Sequence, residues 1–343
     1  MTSAAEVVLP DGVATGIGSW PGTEMRSALA FVRETLTDLP HLVELPARGP
    51  GADLVGRGAA LLVDLPVELQ PHGWRLADAP GRDVRRGQSY LSSDLDDLAE
   101  LFDGYTGPLK VQVTGPWTLC ASLWLPRGER VLTDAGARRE VVASLAEGAA
   151  GHVAAVRAAV PGAQVVLQVD EPSLTAVMAG RLPTASGYGL VRAVEPPEVE
   201  QGLAATLHAA HAAGASSAVH CCSGQVPVAL LARAGAGAVS LDLSLLAAPG
   251  WEEIGEAVEG GLALWAGAVP SVPDPVEGLP GDRSVVDAVR GPWRRIGLPE
   301  EGLRRVVVTP TCGLAGAGPD QARAALRRVV SAARALAEST YDA

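Results

Sequence analysis

Lysine is almost absent from this chain of 343 residues, in which 27 residues are Lys or Arg and the only lysine is Lys110. We interpret the preference for arginine as codon bias in a GC-rich genome, not as a phosphate-binding device. Acidic residues outnumber basic ones and give a net charge of −12, so the chain lacks the basic surface that nucleic acid or an anionic membrane would attract. We therefore expect neither as a partner.

Cysteine is also scarce, with four residues, Cys120, Cys221, Cys222 and Cys312. So few in a chain of this length exclude a disulfide scaffold and favour reduced thiols that pack in the core, act as nucleophiles or bind a metal. No apolar run approaches the roughly 18 residues of a membrane-spanning helix. The first residues also lack the basic and apolar regions of a signal peptide. We expect a cytoplasmic protein.

Short β-type runs alternate with amphipathic or alanine-rich helical stretches along most of the chain. Nearly continuous apolar strands between helices indicate a parallel sheet covered on both faces, and eight of them favour a closed barrel over an open, doubly wound sheet. The predicted fold is α/β, a single (β/α)₈ TIM barrel domain over residues 1–343 with an insertion around residues 48–108. The predicted strands are residues 14–20, 42–47, 109–114, 164–170, 217–222, 238–243, 262–269 and 305–311.

Polar or reactive residues gather where these predicted strands end. In a barrel the carboxyl ends of the strands form the rim at which active sites lie. The residues concerned are Ser19, Asp170, Cys222, Asp242 and Cys312.

The pair His220 and Cys222 lies on one of these strands. Alternate side chains of a strand share a face, so this imidazole and thiol project together while Cys221 points the other way. Such a pair can bind one zinc ion, although a buried histidine beside two small apolar cysteines explains the same pattern equally well.

Two further residues favour the metal interpretation. Cys312 ends the last predicted strand, and Asp242 ends the strand that follows the one carrying His220. Two thiolates, an imidazole and one oxygen are a zinc-type ligand set, and a loosely held oxygen can give way to a substrate thiol. Zinc would convert that thiol into the thiolate needed to attack a methyl group. We assign Cys120, in a predicted helix, to packing.

Five short motifs occur in order across nearly the whole chain: Ile17-Gly-Ser-Trp-Pro-Gly-Thr23, Thr114-Gly-Pro-Trp-Thr118, Gln168-Val-Asp-Glu-Pro172, His220-Cys-Cys222 and Cys312-Gly-Leu314. In these motifs the chain resembles the cobalamin-independent methionine synthase family, within the superfamily that also contains uroporphyrinogen decarboxylase. The resemblance covers the catalytic, C-terminal barrel of that family.

The resemblance implies a (β/α)₈ barrel and a zinc ion held by His220, Cys222 and Cys312. It also implies contacts with homocysteine, in which Ser19 binds the amino-acid carboxylate while Asp170 and Glu44 bind the amino group. With Asp242 as a possible fourth zinc ligand, Asp170 and Asp242 are the candidate catalytic residues.

Three departures from the family pattern affect the prediction. The fourth metal ligand of the family is usually glutamate, whereas the matching position here is the shorter Asp242. The family places a histidine in the loop that corresponds to Val269–Asp274, and this loop contains none. The full-length enzyme also has a second, N-terminal barrel that helps to hold the folate tail, and we expect a chain of this length to hold only the catalytic one. The methyl donor is therefore either methyltetrahydrofolate or a methylated corrinoid protein.

The sequence thus predicts a zinc-dependent S-methyltransferase that makes methionine from homocysteine. Three alternatives remain open: a zinc methyltransferase for another thiol such as coenzyme M, a uroporphyrinogen decarboxylase-like lyase, and a non-catalytic metal-binding or redox-sensing barrel in which Cys221 and Cys222 form the switch.

Overall fold

The computed structural model describes residues 7–275 and 278–341. Its strands are β1 (Val67–Gln70), β2 (Gly73–Leu76), β3 (Pro108–Thr114), β4 (Gln164–Asp170), β5 (Ser216–Cys221), β6 (Ala238–Asp242), β7 (Ala263–Val269) and β8 (Val307–Pro310). Strands β1 and β2 pair as an antiparallel hairpin, whereas β3 to β8 form one parallel sheet in chain order. The architecture is therefore an α/β fold built on a six-stranded parallel sheet.

Helices precede and follow the strands of this sheet and share its large apolar core. They are α1 (Met25–Thr35), α2 (Leu54–Leu61), α3 (Arg82–Leu101), α4 (Pro116–Ser122), α5 (Ala135–Ala159), α6 (Leu174–Met178), α7 (Pro196–Ala212), α8 (Val228–Arg233), α9 (Ala248–Glu259), α10 (Asp282–Arg295) and α11 (Pro319–Glu338). None of the helices among the described residues combines the length and apolar character needed to cross a membrane.

The two faces of the sheet bury different kinds of residue. On β3, Leu109, Val111 and Val113 join the large apolar core shared with the helices, whereas Lys110 and Gln112 are buried on the opposite, concave face. A second apolar cluster consists of Val13, Leu39, Val166, Ala218, Ala238, Trp265 and Val307. Its strand residues lie in the amino-terminal halves of β4 to β8, so the concave face is apolar there and polar towards the carboxyl ends.

Six of the eight predicted strands form, with bounds within two residues of the prediction. The first two, residues 14–20 and 42–47, are not regular strands. Single parallel bridges join these regions to each other and to both edges of the sheet: Ala14 with Val308, Ser19 with Glu44, and His41 with Lys110. Glycine and proline interrupt the ladders, since Gly18 has a φ of +150° and Pro46 begins a short 3₁₀ helix.

The predicted insertion around residues 48–108 is a folded excursion. It contains α2, the β1–β2 hairpin and α3, and α2 packs against α3 and β3. This excursion follows directly on the bridged region around Glu44, which places it beside the carboxyl end of the sheet.

Candidate active site

A cavity of about 260 Å³ opens at the carboxyl ends of the parallel strands. Of the residues predicted to bind metal or substrate, all except Asp242 line it: Ser19, Glu44, Asp170, His220, Cys222 and Cys312. The remaining lining residues are Ile17, Pro46, Ala52, Leu54, Pro172 and Gly313. Residues far apart in the sequence therefore meet in one small chamber.

His220, Cys222 and Cys312 form a compact group of possible metal ligands. A ring nitrogen of His220 and the two sulfur atoms all lie within 4.8 Å of one another. His220 lies on β5, Cys222 follows the last residue of that strand, and Cys312 follows β8. Cys221 is fully buried in the apolar core instead, as the alternation of side chains along a strand predicts.

The histidine of this group is oriented for ligation. Its Nδ1 lies 3.1 Å from Ser240 Oγ, while its buried Nε2 has no hydrogen-bond partner. A second partner on one ring nitrogen is the usual way in which proteins orient a metal-binding imidazole. One nitrogen and two sulfur atoms around a common point are a donor set that suits zinc, so the residues fit the ion that the sequence predicts.

The two thiols of the group lie within hydrogen-bond distance of each other. Their sulfur atoms are 3.1 Å apart. The pKa of Cys312 is lowered because the Cys222 thiol hydrogen-bonds to it and because His220 lies beside it, whereas the same hydrogen bond and burial raise the pKa of Cys222. One sulfur atom is thus disposed to carry negative charge, which a bound cation would compensate.

Asp170, at the end of β4, is almost entirely buried beside the metal-ligand group. Gln168 Nε2 donates a hydrogen bond of 2.6 Å to Asp170 Oδ1. Burial raises the pKa of this carboxyl, and the nearby charges of His220 and Lys110 act in the opposite direction. A cationic substrate group in the cavity would stabilise the ionised form further.

Lys110 is a residue whose role the sequence did not predict. Its ammonium group is buried on the concave face and donates to Ile17 O at 2.7 Å and to the Oε1 atoms of Gln112 and Gln168, each at 2.9 Å. Because lysine only donates, it turns the carbonyl oxygen of Gln168 towards itself and the amide nitrogen towards Asp170. Lys110 thereby positions the carboxylate from beneath the cavity.

Ser19 occupies space that Gly313 leaves open. A Cβ atom on Gly313 would overlap Ser19 Oγ, and the backbone N–H of Leu314 donates to Ser19 O at 2.9 Å. The bridged region around residue 19 and the loop after β8 are thus fitted together at the wall of the cavity.

Asp242, the predicted fourth ligand, does not join the metal-ligand group. Its Oδ1 accepts hydrogen bonds from Ser244 N at 2.9 Å and from Ser244 Oγ at 2.6 Å, which caps the 3₁₀ helix that follows β6. The shorter side chain is thus engaged locally, and its ligand role stays a prediction. Cys120 lies fully buried in α4, as expected for a packing residue.

Glu171, next to Asp170, is a buried acid that supports the site from outside the cavity. Its carboxylate accepts hydrogen bonds from Trp117 N, Thr118 N and Thr118 Oγ at 2.7–2.9 Å, at the first turn of α4. Burial raises its pKa to about 7, against these hydrogen bonds. Glu171 therefore ties the end of β4 to α4.

The fold is thus a parallel β/α scaffold that carries a thiol and imidazole cluster, a possible metal site, at the carboxyl ends of its strands. Residues 105–335 match the family described as cobalamin-independent synthase, catalytic domain, and the chain belongs to this family. Comparison with curated proteins gives no significant match.

Two solved structures illustrate the similarity of fold. A B12-independent methionine synthase from Shewanella sp. W3-18-1, in complex with selenomethionine, has a TM-score of 0.51 and 16% identity, over 73% of this chain and 68% of that one. The exo-beta-1,4-mannosidase Op5Man5 from Opitutaceae bacterium strain TAV5 also has a TM-score of 0.51, at 13% identity, over 99% of this chain and 63% of that one. At such identities the similarity shows a TIM-barrel-like fold alone.

Proposed function

We propose that this protein is a zinc-dependent S-methyltransferase that transfers a methyl group to the thiol of homocysteine and so makes methionine. One observation carries the proposal: the thiol and imidazole group of His220, Cys222 and Cys312 shares a single cavity with Ser19, Glu44 and Asp170. Family membership and the selenomethionine bound to the Shewanella enzyme support the same substrate class.

His220, Cys222 and Cys312 would hold zinc. The positive charge of bound zinc would lower the pKa of a substrate thiol, so that the thiol would be a nucleophilic thiolate at neutral pH. Ser240 keeps the imidazole in place through Nδ1. Asp242, which caps a neighbouring turn, contributes less to holding the ion.

The protein's own side chains provide the contacts for the amino-acid part of the substrate. Glu44, Asp170 and Ser19 line the cavity. The two carboxylates would accept the ammonium group, and the hydroxyl of Ser19 would donate to the carboxylate. These contacts would hold the amino-acid end of the substrate, so that its sulfur atom can reach the metal-ligand group. Orientation of this kind contributes to the rate by keeping reacting atoms together.

The cavity favours homocysteine over the alternative substrates. A volume of about 260 Å³ suits a small amino acid better than a tetrapyrrole. A uroporphyrinogen decarboxylase-like site would require arginines for its carboxylates, and none is among the described residues that line this cavity. Two carboxylates would also repel the sulfonate of a coenzyme M-like thiol. For the redox alternative, Cys221 contacts Ser223 while Cys222 contacts Cys312, so the adjacent cysteines do not face each other.

The methyl donor is assigned from the loop after β7. Folate leaves as a nitrogen base that needs a proton, and a general acid must lie within hydrogen-bond reach to provide it. The segment Val269–Asp274 contains no histidine, and Asp274 is its only acidic residue. A methylcobalt donor needs no such proton, so we propose that a methylated corrinoid is used faster than methyltetrahydrofolate.

We also propose that the chain is a single barrel domain. The bridged segments around Ala14, Ser19 and Glu44 link β8 to β3, the two edges of the sheet. They would occupy the first two of eight positions around the barrel.

Methyl transfer can be measured directly. Zinc-loaded protein is incubated with homocysteine and either methylcobalamin or monoglutamyl methyltetrahydrofolate at equal concentrations, and methionine is quantified by mass spectrometry. We expect methylcobalamin to give methionine, and to give it faster than methyltetrahydrofolate if both donors are used. Cys222→Ser should abolish the product, whereas Cys221→Ser, its neighbour on the core side, should retain it. If neither donor gave methionine, the proposed reaction would be contradicted. Efficient turnover with folate alone would reverse the donor assignment.

A further inference from the structure

We propose that Arg57, from the excursion at residues 48–108, is a positioning residue that fixes Glu44 as the ammonium-binding wall of the cavity. It would thereby set the preference of the protein for thiols of amino acids over thiols that lack an amino group. This inference rests on the proposed function and adds a specificity-determining residue to it.

Arg57 links Glu44 to a buried network of charges. Its Nε donates to Glu44 Oε1 at 3.1 Å, and its Nη1 donates to Asp94 Oδ2 at 2.9 Å. Arg48 donates to both oxygens of Asp94, at 2.7 and 2.8 Å. The side chains of Arg57, Glu44 and Asp94 are 4%, 9% and 0% exposed, so solvent screens these interactions little.

The network ends at the cavity with the carboxylate of Glu44, which has one oxygen atom without a side-chain hydrogen bond. Two guanidinium groups face two carboxylates, which balances the charge. Asp94 accepts three hydrogen bonds from the two arginines, and neither it nor Arg57 lines the cavity. Glu44 does line it, and among the described residues only Oε1 of its carboxylate accepts a side-chain hydrogen bond, from Arg57. Its Oε2 is left for a cationic group in the cavity.

The excursion holds Arg57 in a defined position. Arg57 lies on α2, whose first turn is capped by Asp53, with Gly56 N donating to Asp53 Oδ1 at 3.0 Å. The second guanidinium, of Arg48, lies over the ring of Tyr90 on α3, 4.6 Å from its centroid. Arg57 is therefore held on a capped helix and Arg48 against an aromatic ring, which limits the rotation of the Glu44 carboxylate.

The same excursion builds part of the cavity wall, since Ala52 and Leu54 line it. A carboxylate fixed beside an apolar wall recognises a positively charged group and disfavours an uncharged or anionic one. The ligand class that fits is an α-amino acid with a thiol side chain, in which the ammonium pairs with Glu44. A thiol acid without the ammonium leaves Oε2 of Glu44 without a cationic partner, while Oε1 keeps its hydrogen bond from Arg57.

The preference is measured by isothermal titration of zinc-loaded protein with homocysteine and with 4-mercaptobutyrate, which is homocysteine without its amino group. We expect Arg57→Met to weaken homocysteine binding by about 10- to 100-fold, the range that a hydrogen bond to a charged group accounts for. Binding of 4-mercaptobutyrate should change by less than about threefold, a range consistent with unaltered direct contacts. Arg57→Lys, which keeps the charge but loses the planar fork of guanidinium donors, should weaken homocysteine binding in part and is the variant to use if Arg57→Met does not fold.

Two controls separate positioning from general damage. Arg138→Met removes a more exposed ion pair with Glu198, at 2.8 Å and away from the cavity, and should leave the ratio of the two affinities unchanged. In a Glu44→Gln background, Arg57→Met should have no further effect on homocysteine binding, because Arg57 acts through Glu44.

Equal weakening of both ligands by Arg57→Met, or an undiminished effect in the Glu44→Gln background, would overturn this inference and leave the proposed function intact. Failure of the wild-type protein to bind either thiol would overturn the proposed function as well.

Discussion

Gly148 lies in the middle of α5, against the carbonyl group that ends α2. A Cβ atom at this position would overlap Leu61 O and lie 2.8 Å from Leu61 C. The obstacle is backbone, and Ser144, one turn earlier on the same helix, pins that backbone by donating to Val63 O at 2.7 Å. Gly148→Ala therefore forces α5 away from the carboxyl end of α2, the helix that carries Arg57.

The size of this effect follows from two opposed contributions. Alanine is favoured over glycine in a helix by about 1 kcal/mol, and overpacking of a well-packed contact costs about 1–3 kcal/mol. Because the clash is with a pinned carbonyl, we take the upper part of that range and expect a net destabilisation of about 1–2 kcal/mol. Gly151, three residues later on the exposed side of α5, is the matched control, because a Cβ atom added there would have no neighbour within 4 Å. Gly151→Ala should stabilise the protein by up to about 1 kcal/mol.

Urea denaturation followed by circular dichroism measures both changes. We expect the two variants to shift the unfolding midpoint in opposite directions relative to the wild-type protein. If Gly148→Ala stabilised the protein as much as Gly151→Ala, the close contact of α5 with α2 would be refuted.

Two further predictions concern His152, a buried histidine, and Asp242, the predicted fourth zinc ligand. Burial, and the charge of Arg57, lower the pKa of His152 to about 4, so its contribution to stability is present above pH 6.5 and is lost as the pH falls towards 4. Relative to the wild-type protein, we expect the free energy of unfolding of His152→Leu, measured by urea denaturation, to rise by up to about 3 kcal/mol as the pH falls through this window. A difference that does not depend on pH would contradict the lowered pKa of His152. Asp242→Ala should weaken zinc binding, measured in a chelator competition, much less than Cys222→Ser, and equal weakening would show that Asp242 is a full ligand.

The sequence was most informative where local patterns decide the structure. Runs of β-branched residues marked the six strands of the parallel sheet, and polar residues at their ends, such as Asp170 and Cys222, could be expected to meet because parallel strands end on one side. Residues 14–20 had the same apolar character. Gly16 and Gly18, however, break the regular ladder, and apolar periodicity does not register such a break.

Tertiary pairing could not be predicted from the sequence. The contacts of Arg57 with Glu44 and Asp94 join residues that are 13 and 37 positions apart, across an excursion whose path the pattern of residues does not define. Lys110 was visible only as the single lysine of the chain. Its three hydrogen bonds depend on how the strands curl around the concave face.

The central claim is that His220, Cys222 and Cys312 hold one zinc ion. The metal content of purified protein, measured by plasma mass spectrometry after expression with zinc, tests it most directly. The account predicts about one zinc per chain in the wild-type protein and in Cys221→Ser, and little in Cys222→Ser or Cys312→Ser, all with the same circular dichroism spectrum. Full zinc occupancy in both ligand variants, or no zinc in the wild-type protein, would contradict it.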